Sequence, residues 1–143
     1  MRIAIGSDHG GFEMKGAVIA HLKEKGYEVE DMGCYENVSC DYPKYGYAVA
    51  HAVADGKADK GIVICTTGIG ISICANKVKG IRAGLCSDRT AAYLTRAHND
   101  ANVLAMGAGM IGLNVAMDIV DTFLETEFSA MEKHARRIAA IEE

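Results

Sequence analysis

The chain has 143 residues, of which half are apolar and about a quarter are charged, and its formal net charge is −4. This composition is typical of a globular domain that buries a core, and it argues against a disordered or collagen-like chain. The acidic balance gives no general attraction for nucleic acid, although a local basic cluster could still bind a small anion.

The first half of the chain is predicted to alternate strands with helices. Apolar runs of strand length alternate with segments whose apolar residues have helical spacing, and glycines stand at the turns. The predicted elements are strand 3–6, helix 12–25 (Gly16, Ile19 and Ala20 inward, Gly26 as cap), strand 27–32, loop 33–43, helix 45–54 (Val49, Ala52 and Val53 on one face, closed by Gly56) and strand 61–65.

The second half continues the same alternation. Its predicted elements are a short helix to Lys77, strand 81–86, helix 88–97 (capped by Ser87), strand 102–106, helix 113–124 (Leu113, Ala116, Met117, Val120 and Leu124 inward, Asp118, Asp121 and Glu125 outward) and a last helix from Glu127 (Phe128, Met131, Ala135 and Ile138 inward). Five strands separated by helices predict one α/β domain over residues 1–143: a three-layer α/β/α Rossmann-like domain with a five-stranded parallel sheet and a C-terminal helix. Ligands of such sheets bind beyond the carboxyl ends of the strands.

Apolar runs and cysteines indicate the cellular setting. No apolar run approaches the ~20 residues of a membrane helix, and the first residues lead into a strand without the features of a signal peptide, so we expect a cytoplasmic protein. An odd number of cysteines without a Cys-x-x-Cys pair predicts free thiols rather than disulfides or structural zinc, and most are expected to pack as small core residues. They are Cys34, Cys40, Cys65, Cys74 and Cys86.

The densest reactive segment follows the third strand and runs from Cys65 to Ser72. Gly68 and Gly70 can expose backbone N–H groups at the start of a helix, an arrangement that suits a phosphate or an oxyanion and would stabilise a thiolate at Cys65. On the strand alone, catalysis and mere packing are equally good interpretations of this cysteine, and the adjoining glycines favour catalysis. Ile73 stands where a dinucleotide fingerprint needs glycine, and no Walker A lysine follows.

Three histidines lie at predicted loops or helix ends. His9 follows the first strand beside Asp8, His98 precedes Asn99, and His134 belongs to a basic cluster with Lys133, Arg136 and Arg137. Each histidine could simply make local hydrogen bonds, and the cluster could be a solvated helix end rather than a phosphate clamp; from spacing alone the solvated end is slightly favoured. Zinc is weakly indicated because no ligand pair has the usual spacing. His21 and His51 are assigned to surface or packing.

Taken together, four stretches resemble the type B ribose-5-phosphate isomerases and the related galactose-6-phosphate isomerase subunits. They are residues 5–11, residues 41–43 (Asp-Tyr-Pro), residues 65–77 and residues 96–102 (Arg-Ala-His-Asn-Asp-Ala-Asn). They span most of the chain in the right order, and their combination is highly specific. The resemblance implies interconversion of ribose 5-phosphate and ribulose 5-phosphate in the pentose phosphate pathway, through a cis-enediolate, without metal or cofactor.

The resemblance also assigns roles to residues. Cys65 is implied as the base that moves the proton between C1 and C2, and His98, with Asn99 nearby, assists ring opening. Thr67 and the backbone N–H groups of the following turn are implied to hold the enediolate, which involves Gly68, Gly70, Ile71 and Ser72. The implied substrate-binding residues are Asp8 for sugar hydroxyls, Tyr42 as a pocket wall, and His9, Lys133, His134 and Arg137 for the phosphate.

Departures from the family pattern affect the substrate more than the chemistry. Thr66 stands where glycine is common, Gly109 where many members carry a phosphate-binding arginine, and Lys133 where arginine is common, which weakens the expected phosphate grip. One branch uses a glutamate six places after the cysteine position, but this chain has Ile71 there, so Cys65 has no rival base. Cys74 stands where the family usually has alanine and is interpreted as packing.

Two other functions therefore stay open at this point. One is isomerisation of a hexose 6-phosphate such as allose 6-phosphate or galactose 6-phosphate; the other is a non-catalytic phosphate- or nucleotide-binding module. The expected partner is a small phosphorylated sugar, with no nucleic acid and no membrane. The family implies a homodimer with shared active sites, in which His98 serves the partner's Cys65; a tetramer is left open.

Overall fold

The computed structural model describes residues 1–143 and alternates strands with helices throughout. The elements are β1 (Arg2–Ser7), α1 (Phe12–Glu24), β2 (Glu28–Asp31), α2 (Tyr42–Ala54), β3 (Lys60–Cys65), α3 (Ile69–Asn76), β4 (Ala83–Leu85), α4 (Arg89–Ala97), β5 (Val103–Gly107), α5 (Leu113–Glu125) and α6 (Glu132–Ile141). A single 3-10 turn, His9–Gly11, joins β1 to α1. None of the helices combines the length and the apolar character that crossing a bilayer requires.

The strands form one parallel sheet in the order β2-β1-β3-β5-β4, which confirms the predicted five-stranded parallel sheet. Ser7 pairs with Ile64, and Cys65 pairs with Gly107. The three central strands therefore end at the same level. We call this side the carboxyl end of the sheet, and the opposite side, where the strands begin, its amino end.

Helices cover both faces of the sheet, and alternate residues of β3 show why. Ile62 and Ile64 belong to one core, which includes Leu22 of α1 and Phe123 of α5, whereas Val63 and Cys65 belong to the core on the other side. A strand buried on both faces reads as a continuous apolar run, because neither set of alternate side chains meets water. This burial fixes the position of Cys65 at the end of the strand.

Several predicted boundaries differ from the structure. Helix α2 begins at Tyr42 rather than at residue 45, because Pro43 lies in the first turn, where no backbone N–H is needed. Strand β4 covers only Ala83–Leu85. The cap of α4 is Asp88 and not Ser87, since the Asp88 carboxylate accepts the N–H of Ala91 at 2.7 Å.

Some predicted helix faces were also wrong. In α1 the buried residues include Met14, Val18 and Leu22, while Gly16 and Ala20 are exposed. In α5 the predicted inward residues Ala116, Val120 and Leu124 are buried and Met117 packs against the core, whereas Leu113, in the first turn, is exposed. Ile119 and Phe123 are buried as well. Asp121, expected to face away, instead pairs with His21 of α1 at 2.7 Å and with Lys25 at 3.0 Å.

The last helix departs most from expectation. It begins at Glu132 rather than at residue 127, and His134 is its one buried residue. Met131 and Ala135, expected to face inward, are exposed because α6 lies outside both cores. An amphipathic pattern identified the helix but not the surface that it covers.

Candidate active site

Cys65 lies at the carboxyl end of β3, where its side chain meets the following turn. The backbone N–H of Gly68 donates to Sγ of Cys65 at 3.1 Å, and Cys65 is 5% exposed. Gly68 has a left-handed backbone (φ +77°), and a Cβ there would lie 2.7 Å from the carbonyl carbon of Met106. Only glycine can therefore fold back closely enough to offer its N–H to the sulfur. A backbone N–H donor is thus directed at the sulfur at the point where β3 ends.

The turn after Cys65 leads into α3 and leaves donors available. Thr67 Oγ1 accepts the N–H of Ile69 at 3.2 Å, and the hydroxyl of Ser72 donates to the carbonyl of Ile69 at 2.7 Å. The next two first-turn N–H groups, of Gly70 and Ile71, have no acceptor within the helix. A helix N-terminus with such donors stabilises negative charge on an oxygen.

Tyr42 covers the start of α3 because residue 70 is a glycine. A Cβ at Gly70 would lie 2.5 Å from Cζ and 2.7 Å from the hydroxyl oxygen of Tyr42. Any larger residue would displace the ring. Tyr42 is the first residue of α2, so the early start of that helix, with Pro43 in its first turn, places the tyrosine against the donors of α3.

Asp8 and His9 follow β1 at the same end of the sheet. Asp8 is 7% exposed and accepts the N–H of Gly11 at 3.2 Å, which closes the 3-10 turn. Nδ1 of His9 lies 3.1 Å from the backbone N of Cys40, whose N–H can donate to it, and 3.2 Å from the Cys40 carbonyl oxygen. When Nδ1 accepts this bond the ring proton is on Nε2, so an N–H donor remains for an anionic oxygen.

Thr66 fills the space between two glycines at this end of the sheet. A Cβ at Gly109 would lie 3.0 Å from Cγ2 of Thr66, and a Cβ at Gly10 would collide with Oγ1 of Thr66. The N–H of Gly109 also donates to the Thr66 carbonyl at 2.8 Å. Two of the three departures noted in the sequence, at positions 66 and 109, are therefore in direct contact.

A second group of predicted site residues surrounds His98. The imidazole rings of His98 and His134 lie 4.2 Å apart between centroids, and Nδ1 of His134 is 2.9 Å from Oγ of Ser129. His134 is 7% exposed. Burial lowers the pKa of His134, and the charges of His98, Lys133 and Arg137 lower it further. His134 is thus held neutral against His98, whereas Lys133 and Arg137 are exposed on α6.

Within one chain these two groups lie at opposite ends of the sheet. The level of Val103 in β5 matches Gly61, and the level of Gly107 matches Cys65. Four strand steps of about 3.3 Å separate these levels by about 13 Å. His98 and Asn99 precede β5 and therefore lie at the amino end. The structure brings together the residues of the carboxyl end (Asp8, His9, Tyr42, Cys65, Thr67, Gly68, Gly70, Ile71 and Ser72) and, separately, those of the amino end (His98, Asn99, Lys133, His134 and Arg137).

The cavities and the possible metal ligands do not change this separation of the site residues between the two ends of the sheet. The largest cavity, of 680 Å³, lies at the amino end beside Arg82 and Asn99 and does not include Cys65. No group of three or more His, Cys, Asp or Glu side chains is placed to hold a metal ion. Sequence reasoning assigned no role to Arg82 or Arg96, which hold the turn after His98. For Arg82 the signal was an arginine inside an otherwise apolar segment, whereas Arg96 lies among polar residues.

Comparisons with known proteins agree with this architecture. Residues 3–141 match the family described as Ribose/Galactose Isomerase. The chain is 49% identical to ribose-5-phosphate isomerase B of Escherichia coli over 140 residues, which covers 98% of this chain and 93% of that protein. It is 41% identical to a galactose-6-phosphate isomerase subunit of Clostridium acetobutylicum over 143 residues, covering 100% of this chain and 83% of that one. The structure of Clostridium thermocellum ribose-5-phosphate isomerase B superposes with a TM-score of 0.98 at 53% identity, covering 99% of this chain and 95% of that chain.

Proposed function

The chain belongs to the Ribose/Galactose Isomerase family, and we propose that it interconverts ribose 5-phosphate and ribulose 5-phosphate with Cys65 as the proton-transferring base. The observation that carries the proposal is the 3.1 Å bond from the Gly68 N–H to Sγ of Cys65, beside the unpaired donors of α3. We further propose that residues 1–143 form one isomerase domain that acts in the cytoplasm.

The proposed reaction moves one proton between adjacent carbons. The Cys65 thiolate removes the proton from C2 of the open-chain aldose, and the electron pair forms the double bond of an enediolate. The N–H groups of Gly70 and Ile71, with Thr67, stabilise the negative oxygen. The thiol then returns the proton to C1, while a proton passes from the C2 hydroxyl to the C1 oxygen, so the atoms balance.

Ring opening and phosphate binding are assigned to a second copy of the chain. His98 and its neighbours are about 13 Å or more from Cys65 in one chain, which is too far for both to touch one furanose. In a homodimer the amino end of one subunit would face the carboxyl end of its partner, so that His98 opens the ring beside the partner's Cys65. Asn99, Lys133, His134 and Arg137 would complete the site from the same side, with the exposed cations on the phosphate. His9 of the carboxyl end would also contact the phosphate.

A hexose 6-phosphate is the second candidate substrate. The observation that favours it is the contact between Thr66 and Gly109. Because residue 109 is a glycine and residue 66 a threonine, the wall of the site beside Cys65 differs from the common family pattern. The galactose-6-phosphate isomerase relative keeps this option within the family. The pentose is preferred because the more similar relatives are named as ribose-5-phosphate isomerases.

The decisive experiment compares substrates and cysteines in one assay. The purified protein is tested on ribose 5-phosphate, allose 6-phosphate and galactose 6-phosphate, beside Cys65→Ala and the control Cys74→Ala. We expect the highest kcat/KM on the pentose and a loss of roughly 10²- to 10⁴-fold in kcat for Cys65→Ala, the usual contribution of a general base. Cys74→Ala should retain activity.

Four outcomes would change this conclusion. Higher kcat/KM on a hexose phosphate would reassign the substrate, and full activity in Cys65→Ala would remove Cys65 as the base. Binding without exchange of the substrate C2 proton with deuterated solvent would indicate a non-catalytic phosphate-binding module. Loss of activity with a chelator would point to a metal-dependent enzyme.

A further inference from the structure

Arg82 joins two parts of the amino end that the sequence places far apart. Its Nε donates to the carbonyl of Asn99 at 2.9 Å, and its Nη2 donates to the carbonyl of Asp100 at 2.9 Å. Its Nη1 donates to Oε1 of Glu142 at 2.7 Å, directly after the last residue of α6. The side chain is 18% exposed, so this planar fork is largely shielded from competing water.

The turn that Arg82 binds contains a residue with an unfavourable backbone conformation. Asp100 has φ +46°, a left-handed conformation that costs a non-glycine residue about 1 kcal/mol. Arg96, which is buried, donates from Nη1 to Oδ1 of Asp100 and to the carbonyl of Ala101, both at 2.7 Å. The two arginines thus hold the turn through different acceptors, and the turn directly follows His98.

Helix α6 depends on few contacts at its carboxyl end. His134 is its one buried residue, near its start, and the Arg82–Glu142 pair lies at its other end. A helix held only near its start would pivot and move Arg137, which lies between these two points. The bond to Glu142 therefore restrains the direction of the face that carries Lys133 and Arg137.

We propose that Arg82 is a positioning residue that sets the distance between the ring-opening His98 and the phosphate-binding face of α6. This role rests on the proposed function, in which both groups serve the partner's Cys65. Arg82 itself touches no reacting atom; it acts through the Asn99 and Asp100 carbonyls on one side and through Glu142 on the other. Loss of the Glu142 bond alone should loosen α6, whereas loss of Arg82 should loosen both parts.

Kinetics of variants at Arg82 and Glu142 test these two effects separately. Arg82→Met should lower kcat on ribose 5-phosphate about tenfold and raise KM several-fold, because both His98 and the phosphate grip move. Glu142→Ala should raise KM but keep kcat within about twofold. Arg82→Lys, which can replace only part of the fork, should fall between Arg82→Met and the wild type. The control is Arg89→Met, which removes an exposed arginine of α4 that is bonded to Thr122.

A second readout works even if the protein is not a ribose-5-phosphate isomerase. Arg82→Met should shift the imidazole NMR signals of His98 and His134 and leave those of His21 and His51 in place, whereas Arg89→Met should shift none of them. An inactive wild type with these shifts would reject the proposed function and keep the positioning role. Unchanged His98 signals in Arg82→Met would overturn the proposal. So would a loss of kcat in proportion to the unfolded fraction with a constant KM. If Arg82→Met does not fold, the KM of Glu142→Ala decides, and an unchanged KM would overturn the proposal.

Discussion

His98 and His134 form a ring pair with centroids 4.2 Å apart, and His134 accepts or donates a hydrogen bond through Nδ1 to Ser129 at 2.9 Å. Two imidazolium ions at this distance would repel each other. Burial is the largest cause of the lowered pKa of His134, and the charge of His98 adds to it. His134 therefore supports the proposed ring-opening residue as a neutral ring, while the exposed cations of α6 remain for the phosphate.

The lowered pKa of His134 predicts how stability depends on pH. In the unfolded chain a histidine titrates at about pH 6.5, and in the fold His134 titrates below that value. Its contribution is fully present above about pH 6.5 and is lost as the pH falls through the folded pKa, since the unfolded state then binds the proton more readily. The free energy of unfolding of the wild type should therefore fall, relative to His134→Asn, as the pH is lowered from about 7 through the depressed pKa of His134.

Urea titrations at several pH values measure this difference. The matched control is His51→Asn, which removes an exposed imidazole from α2. If the difference in free energy of unfolding between the wild type and His134→Asn does not change with pH, protonation of the buried His134 ring does not affect stability.

The separation of Cys65 from His98 predicts complementation between two inactive variants. Cys65→Ala keeps His98, and His98→Asn keeps Cys65, so a mixed dimer has one site with both residues intact. When equal amounts of the two denatured variants are mixed and refolded, about a quarter of wild-type activity should return. Half of the dimers that form are mixed, and each mixed dimer has one working site out of two. A site built within one chain would give no recovery on mixing.

Sequence patterns predicted the parts of the molecule that depend on local order. The unbroken apolar run ending at Cys65 predicted a strand buried on both faces, and Gly68 predicted the close turn after it; the structure confirms both. The Thr66–Gly109 contact could not be predicted in this way. It depends on the pairing of β3 with β5, which brings together residues 43 positions apart, whereas periodicity reports only on neighbours within an element.

The last helix shows the same limit in another form. Its apolar spacing predicted an inward face with Met131 and Ala135, but both are exposed in the single chain. Apolar residues at helical spacing identify one face of a helix, but they do not identify what covers that face. The hydrogen bond from Arg82 to the carbonyl of Asn99 could not be predicted either, because a charged residue in an apolar segment does not indicate which groups accept its hydrogen bonds.

The contact between Thr66 and Gly109 predicts a change of substrate preference. Thr66→Gly removes a hydroxyl and a methyl group beside the base and opens the space toward Gly109. We expect the ratio of kcat/KM for allose 6-phosphate over ribose 5-phosphate to rise about three- to tenfold, within the range that one small group supplies. Thr66→Ser, which loses only the methyl group facing Gly109, separates the two effects. A ratio unchanged in both variants would mean that this wall does not select the sugar.

Lys15 predicts a stability effect in a part of the chain that carries no assigned chemistry. Its Nζ donates to Oδ1 and Oδ2 of Asp31 at 2.7 and 2.9 Å and to the carbonyl of Cys34 at 2.7 Å, and its side chain is 3% exposed. Lys15→Met leaves that carbonyl without its donor, which costs about 1–3 kcal/mol. Asp31 is 37% exposed and can regain water, so the cost should stay below the roughly 3–5 kcal/mol of breaking a fully buried pair.

Urea unfolding of Lys15→Met should show a lower midpoint with an unchanged slope, which marks a loss of stability without a change of the unfolded state. Lys23→Met, an exposed lysine on the same helix, is the control and should stay within about 0.5 kcal/mol of the wild type. Equal stability of Lys15→Met would mean that methionine packing against Phe12 and Tyr35, whose rings lie 5.6 and 5.9 Å from the ammonium, replaces what the ion pair supplies. A stability loss accompanied by a raised KM would extend the role of Lys15, because the loop that it holds through Cys34 also carries Cys40, the donor to His9.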